Sequence, residues 1–415
     1  MSLENDTYPL KELNEGASVF SGFAFKSKDF VDEGIPVVKI KNIQNKAIDL
    51  SEIQFFSYDN LKDKHEKFLL KNNDVLIAMT GQGSLGRVGR LKLDDNQLVL
   101  LNQRVGKFQT DEKNLHLNYL YHVISSDMYE KILFDRGTGS GQPNLSPEII
   151  LGTEIPMPDL NTQKKIAFLL DNIDNLITIN KKINKNLEQL IHTIFNYWFI
   201  SFDKFKNVTF KQSPLGDIPD GWDCGALRDL LTLTKNPIKA DETNGLPYLP
   251  IDIIPMNSLG ISELKSDEEA NSSLITFNKN DILIGAMRVY FHRVVISPCS
   301  GVTRSTCFVL NPKHEYHLSY LLLLCNLDRT IQYAQNTSKG TTMPYAVWDN
   351  GLGDMEIIIP PDDILMEFHE LVFPIIEKIR DSFNEINKLT KLRDTLLPKL
   401  MSGEIDVSEI NCDLE

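Results

Sequence analysis

The chain has 415 residues, 42% hydrophobic and 24% charged, the composition of a globular protein of two or three domains and not of a disordered one. Its 43 basic and 57 acidic residues give a net charge of −14, which by itself speaks against nucleic acid, because binding DNA requires cations that displace counterions from phosphates. Five cysteines without a C-x-x-C pair argue against a disulfide framework or a zinc site, and no window approaches the roughly 18 apolar residues of a membrane span, so a cytoplasmic chain is expected.

From the N-terminus the chain reads as one α+β domain (1–160), a helix (161–200), a second α+β domain (201–361), a second helix (362–402) and an acidic tail (403–415). An internal repeat organises this order. GIPVVKIKNI from Gly34 is echoed by GLPYLPIDII from Gly245, KNNDVLIAMTG by FNKNDILIGAM, RGTGSGQPNLS from Arg136 by SKGTTMPYAVW from Ser338, and EIPMPDL by IIIPPDD. The offset drifts through 211, 207 and 204 residues, as loop-length differences between two copies of one domain would give. Within each copy, short apolar runs bounded by Gly, Asn and Asp predict strands at Val75 to Met79, Leu98 to Leu101, Ile282 to Ile284 and Val294 to Ile296. Longer mixed stretches predict helices at His116 to Leu133 and Leu318 to Tyr333.

After each copy the apolar spacing changes to alternating threes and fours. Ile166, Leu169, Ile173, Leu176, Asn180, Ile183, Leu187, Leu190 and Ile194 define one heptad seam, with Asn180 as its polar, register-fixing position. Phe368, Val372, Ile375, Ile379, Phe383, Ile386, Leu389, Leu392 and Leu396 define a second, ended by Pro398 and Gly403. Each helix would be about 35–40 residues, or roughly 55 Å long. Two such rods on either side of a globular domain can pair antiparallel.

No constellation for catalysis emerges. The chain lacks a phosphate-binding G-x-x-x-x-G-K-[ST] loop, a G-x-G-x-x-G turn, a G-x-S-x-G elbow and an H-E-x-x-H pair, and its eight histidines show no metal-ligand spacing. Asp252 with Glu263 and Lys265 has the spacing of a metal-dependent nuclease, but the pattern arises easily by chance and has no counterpart in the first copy. GTGSGQ from Gly137 could cradle phosphate, yet no lysine follows as a nucleotide-binding loop requires.

The charge is unevenly distributed. Residues 282–314 contain no acid but hold Arg288, His292, Arg293, Arg304 and Lys313; 75–93 is also acid-free and holds Arg87, Arg90 and Lys92. Acids gather at Asp267-Glu268-Glu269, on the second helix and in the tail. Arg87, Arg90, Arg288 and Arg293 are the candidates for base or groove contacts, with His292 between two of them; Arg104, Arg304, Lys26, Lys39 and Lys41 suit phosphate positioning or structural roles. Thr80, Gln82, Thr138, Ser140 and Gln142 in the first copy, and Lys339, Thr341 and Thr342 in the second, add donors on loops that could line the same face. Charge alone leaves open a second reading, in which the arginines are solvated strand positions paired with carboxylates elsewhere.

The strings SGFAFKSKDF and GIPVVKIKNI, LNQRVGKF from Leu101, GTGSGQPNLSPEIILGTEIPMPDLNTQKKIAFLLDNID from Gly137, IFNYWFISFDKF, and KLRDTLLPKLMSGEI carry a resemblance over nearly the full length. The chain resembles the DNA-specificity subunit of type I restriction–modification systems. That resemblance implies two target-recognition domains joined by two antiparallel spacer helices, each domain reading one half of a bipartite double-stranded DNA site. It implies no active site or cofactor in this chain. The implied partners are two modification subunits carrying S-adenosylmethionine and the adenine-methylating site, and a restriction subunit using ATP and Mg²⁺. The second copy departs from the family's loop at GTTMPYAVWDNG, around Thr341 and Thr342. Differences such as GQGSLGRVGRLK against GAMRVYFHRVVI predict an asymmetric target.

Overall fold

The computed structural model describes residues 8–44, 46–94, 96–138, 143–261, 263–271 and 273–411. The chain forms two compact units, one of residues up to 175 together with 390 onwards, the other of 176–389.

In the first unit, Val75–Ala78 is buried along its whole length because its alternating side chains enter two different cores. Val75 and Ile77 pack with Leu120, Val123 and Leu133 from the helical layer, while Leu76 and Ala78 pack with Ile35, Val37 and Leu100 from a second sheet. The sheet containing this strand runs in the order Ala17–Ser21, Val105–Thr110, Val75–Ala78, Val88–Arg90, Ala47–Ile48, Ile43–Gln44. Strands Leu100–Leu101 and Ile35–Val38 pair in parallel within the second sheet.

The second unit repeats this plan. Leu231–Thr234, Cys307–Pro312, Ile282–Gly285 and Val294–Ile296 follow the order of the first four strands above, and Tyr248–Leu249 pairs in parallel with Gly301–Arg304. Ile282 and Ile284 face the helical core, whereas Leu283 faces Leu249, Val295 and Val309. A buried tyrosine closes each copy on its last strand, Tyr119 donating to the Pro156 carbonyl at 2.8 Å and Tyr320 to that of Ile358 at 2.5 Å.

Each predicted α-helical stretch inside a copy is two helices. Leu117–Ile124 stops before Asp127–Gly137, whose N-terminus is capped by the Ser126 hydroxyl; Leu318–Cys325 and Asp328–Asn336 are divided at the same place.

The two long helices are Leu160–Phe195, here called central, and Asp362–Ser402, here called distal. Within each unit they run antiparallel. In the first, Asp174 meets Arg393 at 2.9 Å and Lys165 donates to the Ser408 carbonyl; in the second, Ser382 donates to Asn180 at 3.1 Å and Phe195 packs on Phe368. Asn180 thus makes the cross-helix contact expected of a polar seam position.

Half of the expected central seam is displaced by one residue. The buried series is Gln163, Leu170, Ile177, Asn184, Ile191 and Trp198, while Leu176, Ile183 and Leu190 are 48%, 39% and 46% exposed. On the distal helix, Leu392 is exposed and Arg393 takes the seam place, continuing the buried positions Leu365, Val372, Ile379 and Ile386. Nor does Pro398 end the distal helix, which continues to Ser402. Packing of Leu397, Leu400 and Met401 into the first core outweighs the one hydrogen bond that proline removes.

Candidate nucleic-acid interface

In both copies the segment leaving the central strand is clamped to the Gly/Thr-rich loop. The Leu145 N–H donates to the Met79 carbonyl at 2.8 Å, and that of Ala346 to Ala286 at 2.8 Å; the Met79 and Ala286 N–H groups donate to the Arg104 and Thr306 carbonyls, both at 3.0 Å. Bridges Thr80 to Asn144 and Met287 to Tyr345 extend each clamp. Two stretches about 60 residues apart in sequence therefore form one edge in each copy.

In the first copy this edge gathers Thr80, Gln82, Arg104, Thr138 and Asn144. Gly81, at φ 103°, turns the loop, and a Cβ there would come 2.9 Å from the Ile40 side chain. Close packing on Ile40 brings the Lys39 to Lys41 turn beside Gln82. Gln82, Arg104 and Lys41 are exposed, and Lys39 lies over the Phe30 ring at 3.9 Å while donating to Gln54. The Thr138 hydroxyl donates to the Asp135 carbonyl at 3.1 Å, closing its helix, and the Thr80 hydroxyl is buried. Lys26 is exposed on the turn before Phe30–Val31. Ser140 and Gln142 lie outside the described residues.

In the second copy, Arg288 and Lys339 are exposed and form no ion pair among the described residues; Thr341 and Thr342 are exposed on the same loop as Lys339. Lys339 and Tyr345 exchange backbone hydrogen bonds at 2.9 Å, and the Arg288 N–H donates to the Pro344 carbonyl at 2.8 Å, so the two loops present a common surface. Sequence reasoning missed Tyr290, Phe291, Met343 and Tyr345, which are 45%, 37%, 52% and 48% exposed. For Tyr290 and Phe291 the sequence carries a signal, two consecutive aromatics inside an acid-free stretch; for Met343 and Tyr345 it carries none.

Several expected DNA contacts have structural partners instead. Arg90 is 6% exposed, bonded to Asp171 at 2.5 Å and near Asp174 at 3.5 Å, with its guanidinium 4.2 Å from the Tyr121 ring centroid. His122, also bonded to Asp171 at 2.9 Å, and Arg393 on Asp174 complete a buried ionic network that seats the first domain on both long helices. Arg90, itself buried, therefore cannot reach a base without abandoning two half-buried carboxylates. Arg293 donates to the Ile251 carbonyl beneath its loop, and Arg304 donates to the Tyr248 hydroxyl at 2.8 Å. His292 is fixed between the Asn326 carbonyl at 3.0 Å and Asp328 at 3.3 Å. Arg87 lies 3.8 Å from Glu130, a half-exposed pair that nucleic acid could displace. The nuclease-like pattern is also engaged otherwise, Lys265 bonding Glu269 at 2.7 Å.

A duplicated α+β frame that presents different side chains on the same clamped loops is the form of a recognition protein. A family model for the type I restriction modification DNA specificity domain matches residues 4–189. The chain is 31% identical over 312 residues to the type I restriction enzyme MjaIX specificity subunit of Methanocaldococcus jannaschii, covering 70% of each chain. It is 22% identical over 423 residues to the HindI specificity subunit of Haemophilus influenzae, covering 83% of this chain and 90% of that one. Its fold resembles that of the type I restriction–modification S subunit from M. genitalium, with a TM-score of 0.56 and 16% identity over 96% of both chains. The chain belongs to the family of type I restriction–modification specificity subunits. Its role is DNA sequence recognition without catalysis, the chemistry of these systems residing in other subunits. No helix among the described residues is long and apolar enough to cross a membrane.

Proposed function

We propose that each domain reads one half of an asymmetric bipartite DNA site, that the paired helices set the spacer between the halves, and that the central helix docks the modification subunits. The observation that carries this reading is the repeated clamp with unlike side chains: Gln82, Arg104 and Asn144 on one copy, Arg288, Tyr290, Lys339 and Tyr345 on the other. One frame with two faces is what recognition of two different half-sites requires. For docking, the central helix turns Leu176, Ile179, Ile183 and Leu190 outward at helical spacing, an apolar row of the kind that marks a protein interface. In this reading S-adenosylmethionine belongs to two modification subunits, ATP and Mg²⁺ to a restriction subunit, and this chain holds none of them.

The spacer role is tested by inserting seven residues in both helices where one unit gives way to the other, after residues 175 and 389. Each unit keeps its own helix contacts, and each rod lengthens by about 10 Å, equivalent to at most about three base pairs. Methylation mapping is expected to return the same half-sites with a longer spacer. Altered half-sites around an unchanged spacer would contradict the proposal.

Net charge gives a second expected result. At −14, the isolated chain should bind its site weakly at physiological salt and far more tightly once modification subunits add basic surface. Fluorescence anisotropy with and without those subunits reads the difference, and tight, salt-resistant binding by the chain alone would count against it.

A further inference from the structure

The two clamps differ in chemistry as well as in sequence. On the second copy, the residues after Ile282–Gly285 make one tight turn, Val289–Phe291, flanked by Arg288 at φ 50° and His292 at φ 52°. Val289 is buried and anchors the turn, and the His292 ring is bound to the Asn326 carbonyl and Asp328, so Tyr290 and Phe291 are held outward with ring centroids 4.9 Å apart. Beside them, the Lys339 to Tyr345 hairpin turns at Gly340, φ 89°, and exposes Met343 and Tyr345. Arg288 and Lys339 lie in the same two loops, and no acid occurs anywhere in residues 282–314. Exposed apolar side chains interleaved with unpaired cations suit a polyanion that also offers apolar groups. In the DNA major groove that group is the thymine methyl. At the same place the first copy carries the polar side chains Gln82, Ser84 and Asn144, which suit hydrogen bonding to base edges.

We infer that Tyr290, Met343 and Tyr345 are specificity-determining residues of the second domain that read thymine methyl groups in its half-site, with Arg288 and Lys339 holding the adjacent backbone. This rests on the DNA-reading role proposed above. The first domain reads its half mainly by hydrogen bonds, so methyl sensitivity is confined to one half of the target.

The test uses the complex of this chain with its modification subunits and a duplex carrying the mapped methylation site. Thymines are replaced by deoxyuridine in one half, then in the other. Replacement in one half is expected to weaken binding about four-fold per contacted methyl group, the effect of burying one such group. The other half should be insensitive. In the Y290A/M343A/Y345A variant, the uracil and thymine duplexes should bind equally, and methylation mapping should show relaxed specificity in that same half only. Thermal unfolding and assembly of the variant, both expected to match the parent, separate loss of reading from loss of fold. Equal binding of all duplexes by the parent complex, a sensitivity that persists in the variant, or a relaxed half that contains no thymine would overturn the inference. Absence of any site-specific binding by the parent complex would instead overturn the DNA-reading role on which it rests.

Discussion

Asp171→Ala is expected to destabilise the chain by about 3–5 kcal/mol, because it leaves the Arg90 guanidinium and the His122 ring buried without their shared carboxylate. For a unit of this size that lowers the thermal midpoint by roughly 6–20 °C. The internal repeat supplies its own control. The positions in the second copy that correspond to Arg90, His122, Asp171, Asp174 and Arg393 are Ile296, Leu323, Phe373, Ile376 and Ile191, all packed in one apolar core. The same seat is built once from buried charge and once from hydrocarbon. The set R90I/H122L/D171F/D174I/R393I should therefore recover most of the lost stability, since well-packed apolar replacements for a buried ionic cluster are commonly neutral or better.

The two seats also differ in pH response. Burial pushes the Asp171 carboxyl up, but hydrogen bonds and charge from His122 and Arg90 outweigh it and hold the group below its ordinary value. Such a group contributes stability above the unfolded-state value of about 4, and that contribution is lost as pH falls through the folded-state value. Urea unfolding at neutral and strongly acidic pH should show a larger acid loss for the natural chain than for the five-fold apolar variant. Equal losses would mean that the network does not couple to acid unfolding.

The second large effect concerns assembly. Ile183→Asp combined with Leu190→Asp places two carboxylates in the outward apolar row of the central helix, where both side chains are exposed and their loss costs the fold little. If this row docks a modification subunit, each position behaves as an interface anchor worth about 2 kcal/mol, and the pair should weaken assembly by at least about a hundred-fold. Circular dichroism of the variant should match the parent. Ile191→Asp, one residue along but 0% exposed, should instead disrupt folding. Sedimentation with purified modification subunits reads the outcome, and normal assembly of the double variant would remove the row as the docking surface.

The contrast between Leu190 and Ile191 explains how far the sequence could be read. Period and repetition were legible: the two copies share the order of four strands in one sheet and a parallel pair in the other, and Val75–Ala78 and Ile282–Gly285 stand where apolar runs bounded by Asn and Asp placed them. The central helix, however, carries adjacent apolar pairs at Leu169-Leu170, Leu176-Ile177 and Leu190-Ile191, so a seam can be drawn through either member. At the remaining step, Ile183-Asn184, polarity favours Ile183, yet Asn184 is the buried one. A helix that must face two partners has two apolar rows, and spacing alone does not say which row faces inward.

The candidate interface divides in the same way. The acid-free stretches and the Gly/Thr-rich loops did lead to the clamped edges, because both ends of each clamp lay in repeated strings. Which arginines were free did not follow. Arg90 looked like Arg288 in composition, but its carboxylates lie 81 and 84 residues away on the central helix. Tyr290 and Phe291 sat in what could equally have been a buried run, until the left-handed residues on either side turned them outward.

By itself the sequence determined the duplication, the two long helices and the family to which the chain belongs, all of which rest on local spacing and on strings repeated along the chain. Tertiary structure alone decided which face of each helix is buried, which cations are spent on internal carboxylates, and which side chains are presented at the clamped loops. The physical reason is that burial and ion pairing depend on what lies across a packed interface, and those partners are brought together by folding from positions far apart in the chain.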